Sequence, residues 1–466
     1  MNLRNHTRLL TELGDAYARH APRSGAVQAE AARYLVDGGS HQLRLMQPFP
    51  PRIVAARGAY LRDEDGHSIL DFWQGHLGNI LGHNPAVVTG ELARAFAGGF
   101  GLQTGFADRL QAETAKLLCT QTGADRVRFT TSGSLATMYA IMLARAFTGR
   151  SMVLKIGGGW HGAQPWGLKG VNFHDNNGKG FLQVDSEGLS SSVAGEVAIT
   201  CFNDTEGLEE KFHTYGERLS CFIVEPFIGT GGLMPATREF LKTARELTDR
   251  HGALLIFDEV ICGFRFRAGN LGALYELTPD LSVFGKIIGG GMPVAAVAGR
   301  ADVMGLAGRS GGGRVKFSGG TFSSHPASML AAKIMLQYLI EHEAEIYPSL
   351  ALRGEKMRRI LESAFRDEGI YARCSGDGND LVPGSSLGYV HFPYRENTHL
   401  DRPEVLFDPS LCDVDLSAHV LQLALLLEDV YMVHGHGAVS TAHSDEDMAI
   451  LEQACRKAAR CIKSSL

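Results

Sequence analysis

The chain has 466 residues, 44% hydrophobic and 21% charged, a profile for a globular protein with one large and one small domain. Its formal net charge of −6 supplies no basic field for nucleic acid or an anionic membrane. No apolar run reaches spanning length, the start at Met1 lacks a signal-peptide core, and eight scattered cysteines without a Cys-x-x-Cys pair suit a reducing cytoplasm.

Residues 1–37 read as amphipathic helix, with Leu9, Leu10 and Leu13 and then Ala32, Tyr34 and Leu35 as the apolar positions. Gly38, Gly39 and the cluster at 48–51 mark an irregular stretch. A hairpin over 59–72 follows, with Asp65-Gly66 as its turn, and leads into a glycine-rich loop that holds Trp73 and His76. Residues 127–134 predict a strand that runs into a helix over 134–147. The small-residue turn between them offers free N–H groups and a positive dipole end, which suits a phosphate. A plain N-cap at Ser132 or Ser134 is compatible with the same role.

The run 152–162 is a strand ending in Gly157, Gly159 and Gly162, spaced like a dinucleotide fingerprint. That fingerprint requires a helix to open there. Residues 163–170 lack helical period and contain Pro165, so hydride transfer from a nicotinamide is rejected. A buried-type strand over 197–203 ends in Asn203. Strand, helix and strand then recur over 221–226, 237–251 and 253–260, the signature of parallel βαβ units. Another apolar segment, Leu281 to Phe284, ends in Gly285 and Lys286, with Gly289 to Pro293 close behind.

In open α/β sheets ligands sit beyond the carboxyl ends of the strands, which aligns Glu225, Asp258 and Lys286 along one crevice. Desolvation beside apolar residues lowers a lysine's pKa, and the free amine forms Schiff bases with carbonyl compounds and pyridoxal phosphate. Such a cofactor also needs an acid to keep its pyridine nitrogen protonated. A lone lysine would be read as solvated and a lone Asp258 as a cap. Together they match that chemistry. Farther on, 310–313 is glycine-rich, a long helix is expected over 329–343, and strands over 371–375 and 387–392. Residues 417–430 predict a helix and 431–433 a strand. Ser444 caps a final helix whose first turn is rich in acids. The sequence shows neither zinc-ligand spacing nor an internal repeat.

Phe257-Asp-Glu-Val260, Gly263-Phe-Arg265, Gly285-Lys286 with Gly289 to Pro293, and Gly319-Gly-Thr-Phe322 occur in this order. Through them the chain resembles the class III aminotransferases, most closely the subgroup of glutamate-1-semialdehyde aminomutase and the β-amino-acid aminotransferases. The resemblance implies a pyridoxal-phosphate transferase of fold type I. That is an α/β protein with a mostly parallel central sheet, helices on both faces and a smaller α+β domain. Its parts would be 1–75, 76–325 and 326–466. The resemblance makes Lys286 and Asp258 catalytic and puts Gly133 and Ser134 at the phosphate. It stacks Trp160, beside His161, on the ring, packs Val260 behind it, and gives Glu225 and Asn203 places near the cofactor. Asn203 reads equally as a turn residue. Thr321 matches a threonine that crosses from the other subunit of a homodimer to the phosphate, and the N-terminal segment packs across that dimer. Trp73 and His76 fall in a substrate-side loop, while the family's carboxylate-binding arginine has no clean equivalent: His41 or Gln42 occupies its approximate place and Arg44 is displaced from it. Leu135 and Thr131 depart from the usual glutamate and asparagine.

The implied reaction moves an amino group between an amino acid or amine and a 2-oxo acid through a Schiff base at Lys286. A 2,1-aminomutase or racemase is the alternative on the same scaffold. Aminomutases carry an acid in the loop before the final helix, where this chain has His434 and His436. A non-catalytic cofactor-binding protein would not require both Lys286 and Asp258.

Overall fold

The computed structural model describes residues 4–174, 180–309 and 312–466, so the first three residues and part of the glycine-rich stretch at 310–313 lie outside it. Seven strands form the central sheet in the order Arg126–Thr130, Ala295–Gly299, Leu281–Phe284, Leu254–Glu259, Leu219–Val224, Met152–Ile156, Val197–Thr200. Ala295–Gly299 runs antiparallel to both neighbours and the other pairings are parallel. Every residue of Leu219–Val224 and Leu254–Glu259 is buried, as a parallel sheet covered on both faces requires.

Alternation along each strand divides the core in two. Leu255, Phe257 and Phe222 face the Arg238–His251 helix, where Phe240 meets Phe202 and Phe222 at ring distances of 6.0 and 6.2 Å. Leu254, Ile256, Leu281 and Val283 face the Gly133–Thr148 helix instead. Asp258 continues the 254–256 alternation, so the strand delivers it to that helix's side. The helix 238–251 starts on the Thr237 hydroxyl, which accepts from the Phe240 N–H at 3.2 Å. Truncating Phe240 to alanine would cost about 3–5 kcal/mol.

The predicted hairpin forms as Tyr60–Asp63 and Ser68–Asp71, with Gly66 at φ 94° in its turn. Ile53–Arg57 adds to one side, and Val430–Tyr431 pairs parallel to Ser68–Asp71 on the other. The two ends of the chain therefore share a sheet, a pairing too distant in sequence for local pattern to show. A third sheet joins Arg373–Ser375, Leu387–His391 and His436–Ala438.

Three expectations need correction. The N-terminal segment forms two helices, Thr7–His20 and Pro22–Ala31, broken where Pro22 opens the second. Beyond Ala31 the helix ends, and Tyr34 and Val36 stand 76% and 83% exposed. The helix expected at 329–343 is two, Pro326–Glu341 and Glu343–Arg366, parted at His342.

Burial pushes His391 down to about 3 and both His436 and His443 down to about 4, from an ordinary 6.5. These rings stay neutral in the fold, while the unfolded chain takes up protons first. Their contribution is complete above pH 6.5 and is lost as pH falls toward 4. Melting temperature should drop steeply across that window, and His391→Asn should flatten the slope. An unchanged slope in the variant would contradict this account.

Candidate active site

At the carboxyl edge of the sheet, a cavity of about 250 Å³ is lined by Ser134, Trp160, His161, Asp258, Val260 and Lys286 among others. Gly133 and Glu225 belong to the same lining. Lys286 heads a short turn, Lys286–Gly289, with its backbone at φ 47°. A non-glycine residue in the left-handed region costs about 1 kcal/mol or more, so the fold holds this lysine against a local preference. Burial lowers its basicity, opposed by the charges of Asp258 and Glu225 and aided by Arg265. The result is an amine more readily free than a surface lysine.

Asp258 is fixed on both oxygens. Oδ1 accepts from the Val260 N–H at 3.1 Å, and Oδ2 meets His161 Nδ1 at 2.8 Å. A carboxylate only accepts, so Nδ1 carries the proton and Nε2 is left bare and buried without a partner. The His161 carbonyl accepts from the Thr137 hydroxyl at 2.6 Å, which fixes the backbone of that segment. Burial keeps the His161 ring from taking a second proton. Glu225 accepts from the N–H groups of Trp160 (3.0 Å) and Gly229 (2.9 Å), so it orders the Trp160 segment through backbone. Burial, then the nearby Asp258, push its carboxyl up.

The Gly133–Thr148 helix opens on this cavity, capped by the Ser132 hydroxyl accepting from Leu135 N–H at 3.3 Å. The first N–H groups of a helix lack partners within it, and its N-terminus favours an anion. Close packing forms the cup. A Cβ on Gly162, at φ 83°, would lie 2.5 Å from the Ser134 Cα, and one on Gly133 would lie 3.1 Å from the Val260 methyls. No helix opens after Gly162 in the described residues before Ser191–Glu196, which accords with rejecting the dinucleotide fingerprint.

A second group stands on the side of Lys286. Arg44 Nε donates to His76 Nε2 at 3.1 Å, and the His76 ring lies 4.7 Å from those of both Trp73 and His41. Burial and the charges of His41, Arg44 and Lys286 push His76 down to about 3. Its carrier is unusual. Gln74, Gly75, His76 and Leu77 follow one another at φ 46, 61, 59 and 65°. Leu77 N–H donates to Trp73 O and Gly78 N–H to Gln74 O, both at 2.9 Å, so this is one turn of left-handed helix. Each non-glycine residue there costs about 1–2 kcal/mol.

Five predicted residues are not part of the cavity's lining: Trp73, His76 and Arg44, which make the second group, and Asn203 and Thr321. Asn203 spends its amide elsewhere, accepting from Thr237 N–H at 2.8 Å and donating to Pro235 O at 3.3 Å. It is the turn residue of its alternative reading. Thr321 is exposed in a turn and does not line the cavity. Sequence reading missed the contact of His161 with Asp258 and the left-handed turn. Arg265 belongs to the Gly263-Phe-Arg265 motif, which by itself does not reveal the Arg265 contact with the Leu77 carbonyl. Away from this site, ligand atoms of His20, His67 and Asp429 lie within 4.8 Å of one another. The two imidazoles stack with centroids 4.0 Å apart and planes 6° from parallel, so their in-plane lone pairs do not converge on one ion.

Pyridoxal phosphate fits the residues present: an amine for its aldehyde, a fixed carboxylate for its ring nitrogen, an aromatic face, and a helix N-terminus for its phosphate. The family model described as aminotransferase class-III matches residues 44–369. A glutamate-1-semialdehyde 2,1-aminomutase of Caldicellulosiruptor saccharolyticus is 34% identical over 338 residues, 72% of this chain and 76% of that protein. An omega-transaminase from Sphaerobacter thermophilus superposes with TM-score 0.83 at 29% identity, covering 94% of this chain and 97% of that one. A β-phenylalanine aminotransferase from Variovorax paradoxus gives 0.82 at 28% identity, with 97% of each chain covered. Both the matched span and the chemistry of the cavity lead to one conclusion: this chain belongs to the class III aminotransferases, which depend on pyridoxal phosphate.

Proposed function

We propose that the chain transfers an amino group from an amino acid or amine to a 2-oxo acid, with Lys286 and Asp258 as its catalytic residues. The observation that carries this is their shared cavity, closed by Trp160 and opening on a helix N-terminus. When bound, the cofactor supplies a protonated ring that stabilises negative charge at the substrate carbon. Lys286 would hold the cofactor's aldehyde and, as a free amine, would serve as the base that takes and returns the proton at the substrate Cα. Asp258 keeps the ring nitrogen protonated, and His161 holds Asp258 in position through its Nδ1–H. Trp160 would cover one ring face and Val260 the other, and Gly133 and Ser134 would hold the phosphate.

In this reading residues 76–325 hold the cofactor, and 1–75 with 326–466 form the smaller parts around the mouth. A second copy of the chain places its Thr321 on the phosphate, which the exposure of that turn supports. Trp73, His76 and Arg44 form the wall that meets substrate. Free thiols and the absence of a membrane-crossing helix among the described residues accord with a cytoplasmic enzyme. The aminomutase alternative is supported by the identity to an aminomutase. Against it, His436 stands in the small-domain sheet, its Nδ1 bonded to the His434 carbonyl at 3.0 Å, where an acid would be expected.

Borohydride treatment of the holoenzyme should fix the cofactor on Lys286, read by peptide mass. Labelling at another lysine would refute the mechanism. Consumption of a 2-oxo acid in step with the donor marks transamination, whereas product formation independent of added acceptor would establish the mutase or racemase. Asp258→Asn should retain cofactor yet slow amino transfer by about 10²-fold or more. Gly162→Ala forces the 2.5 Å contact with Ser134 and should weaken cofactor binding by about tenfold or more. Wild-type affinity in Gly162→Ala would dissociate the cup from phosphate binding.

A further inference from the structure

We propose that Arg265 is a positioning residue that latches the left-handed turn of residues 74–77 and thereby sets the substrate-side wall. The inference rests on the reading of Trp73 and His76 as that wall. The turn is anchored at both ends. At its start the Asp71 carboxylate accepts from Trp73 N–H at 2.8 Å and Gln74 N–H at 2.9 Å, and His83 Nε2 holds the same carboxylate at 2.7 Å. The Gln74 side chain reaches back to the Asp71 carbonyl at 2.7 Å. At its end the Leu77 carbonyl accepts from the Arg265 guanidinium.

Arg265 is only 2% exposed, and none of its partners among the described residues is a carboxylate. Its Nε donates to Ile261 O at 2.8 Å and its Nη1 to the Ser386 hydroxyl at 3.2 Å. A guanidinium buried among neutral acceptors is costly, so packing alone does not account for a cation at this position. What its planar fork does is span three segments at fixed angles: the chain just beyond Asp258, the end of the left-handed turn, and the entry to the small-domain sheet. Released, three L-residues of the turn would relax toward negative φ. His76 would then leave its place beside Lys286. Gly78, which closes the turn, packs against Lys286 itself, where a Cβ would lie 3.5 Å from the lysine Cβ.

The test compares Arg265→Met, Arg265→Lys, His76→Ala and the double variant Arg265→Met/His76→Ala as holoenzymes. Arg265→Met should keep cofactor absorbance and borohydride labelling at Lys286, while donor KM rises about tenfold with a smaller change in kcat. The double variant should be no worse than His76→Ala alone, because the latch acts through that side chain. Arg265→Lys keeps the charge but not the fork and should fall between Met and wild type. Multiplying effects in the double variant, or lost cofactor with unchanged KM, would overturn the latch. A crystal structure of Arg265→Lys, the milder change, decides the geometry separately: a shifted Leu77 carbonyl supports the proposal and an unmoved turn refutes it. Unchanged KM in His76→Ala, with the turn displaced in that crystal, would reject the wall while leaving the latch in place.

Discussion

A desolvated amine facing two desolvated carboxylates is the interaction on which this molecule turns. Burial disfavours the charged Lys286, Asp258 and Glu225 favour it, and burial prevails, so the amine is available to a carbonyl carbon. That balance works only if the acids are themselves held. The Val260 N–H and the His161 ring provide for Asp258, and the N–H groups of Trp160 and Gly229 for Glu225. Three segments that line the cavity, at 160–161, at 225 and at 258–260, are therefore tied by hydrogen bonds to the acids that face it.

Backbone strain recurs beside those charges. Lys286 and three of the four residues of the left-handed turn are non-glycines at positive φ. Such conformations persist only where the surroundings over-determine them. Here the surroundings are Asp71 at one end and Arg265 at the other, both buried. The fold gives up stability to hold a few side chains at one edge of the sheet, a distribution typical of sites that must be shaped before substrate arrives.

What could be read from the sequence follows from where each residue sits. Glu225, Asp258 and Lys286 close strands or follow them directly, so strand order and the rule for open α/β sheets suffice to bring them together. Gly133 and Ser134 begin a helix, and a helix start is also legible. The His161–Asp258 contact joins residues 97 apart and leaves no local trace. The strand expected to run to Asn203 stops at Thr200, and the Asn203 amide is taken by Thr237 and Pro235, more than thirty residues away, which no local pattern shows. The N-terminal helix stopped at Ala31 although apolar residues continued, since composition does not reveal whether a face has anything to pack against. The parallel pairing of Val430–Tyr431 with Ser68–Asp71 depends on the two ends of the chain meeting, which no window of sequence contains.

The same distinction separates cofactor chemistry from substrate choice. Residues that serve the cofactor stand on strand ends and a helix start, where the sheet fixes them and a motif can name them. The group of Trp73, His76, His41 and Arg44, part of which we propose as the substrate wall, is joined through side chains from segments that are far apart in sequence. Amino transfer, 2,1-mutation and racemisation share the first set and differ in how substrate is held by the second. A chain can therefore declare its cofactor in a few contiguous motifs, whereas a strained turn and the buried guanidinium that ends it are brought together only by the fold.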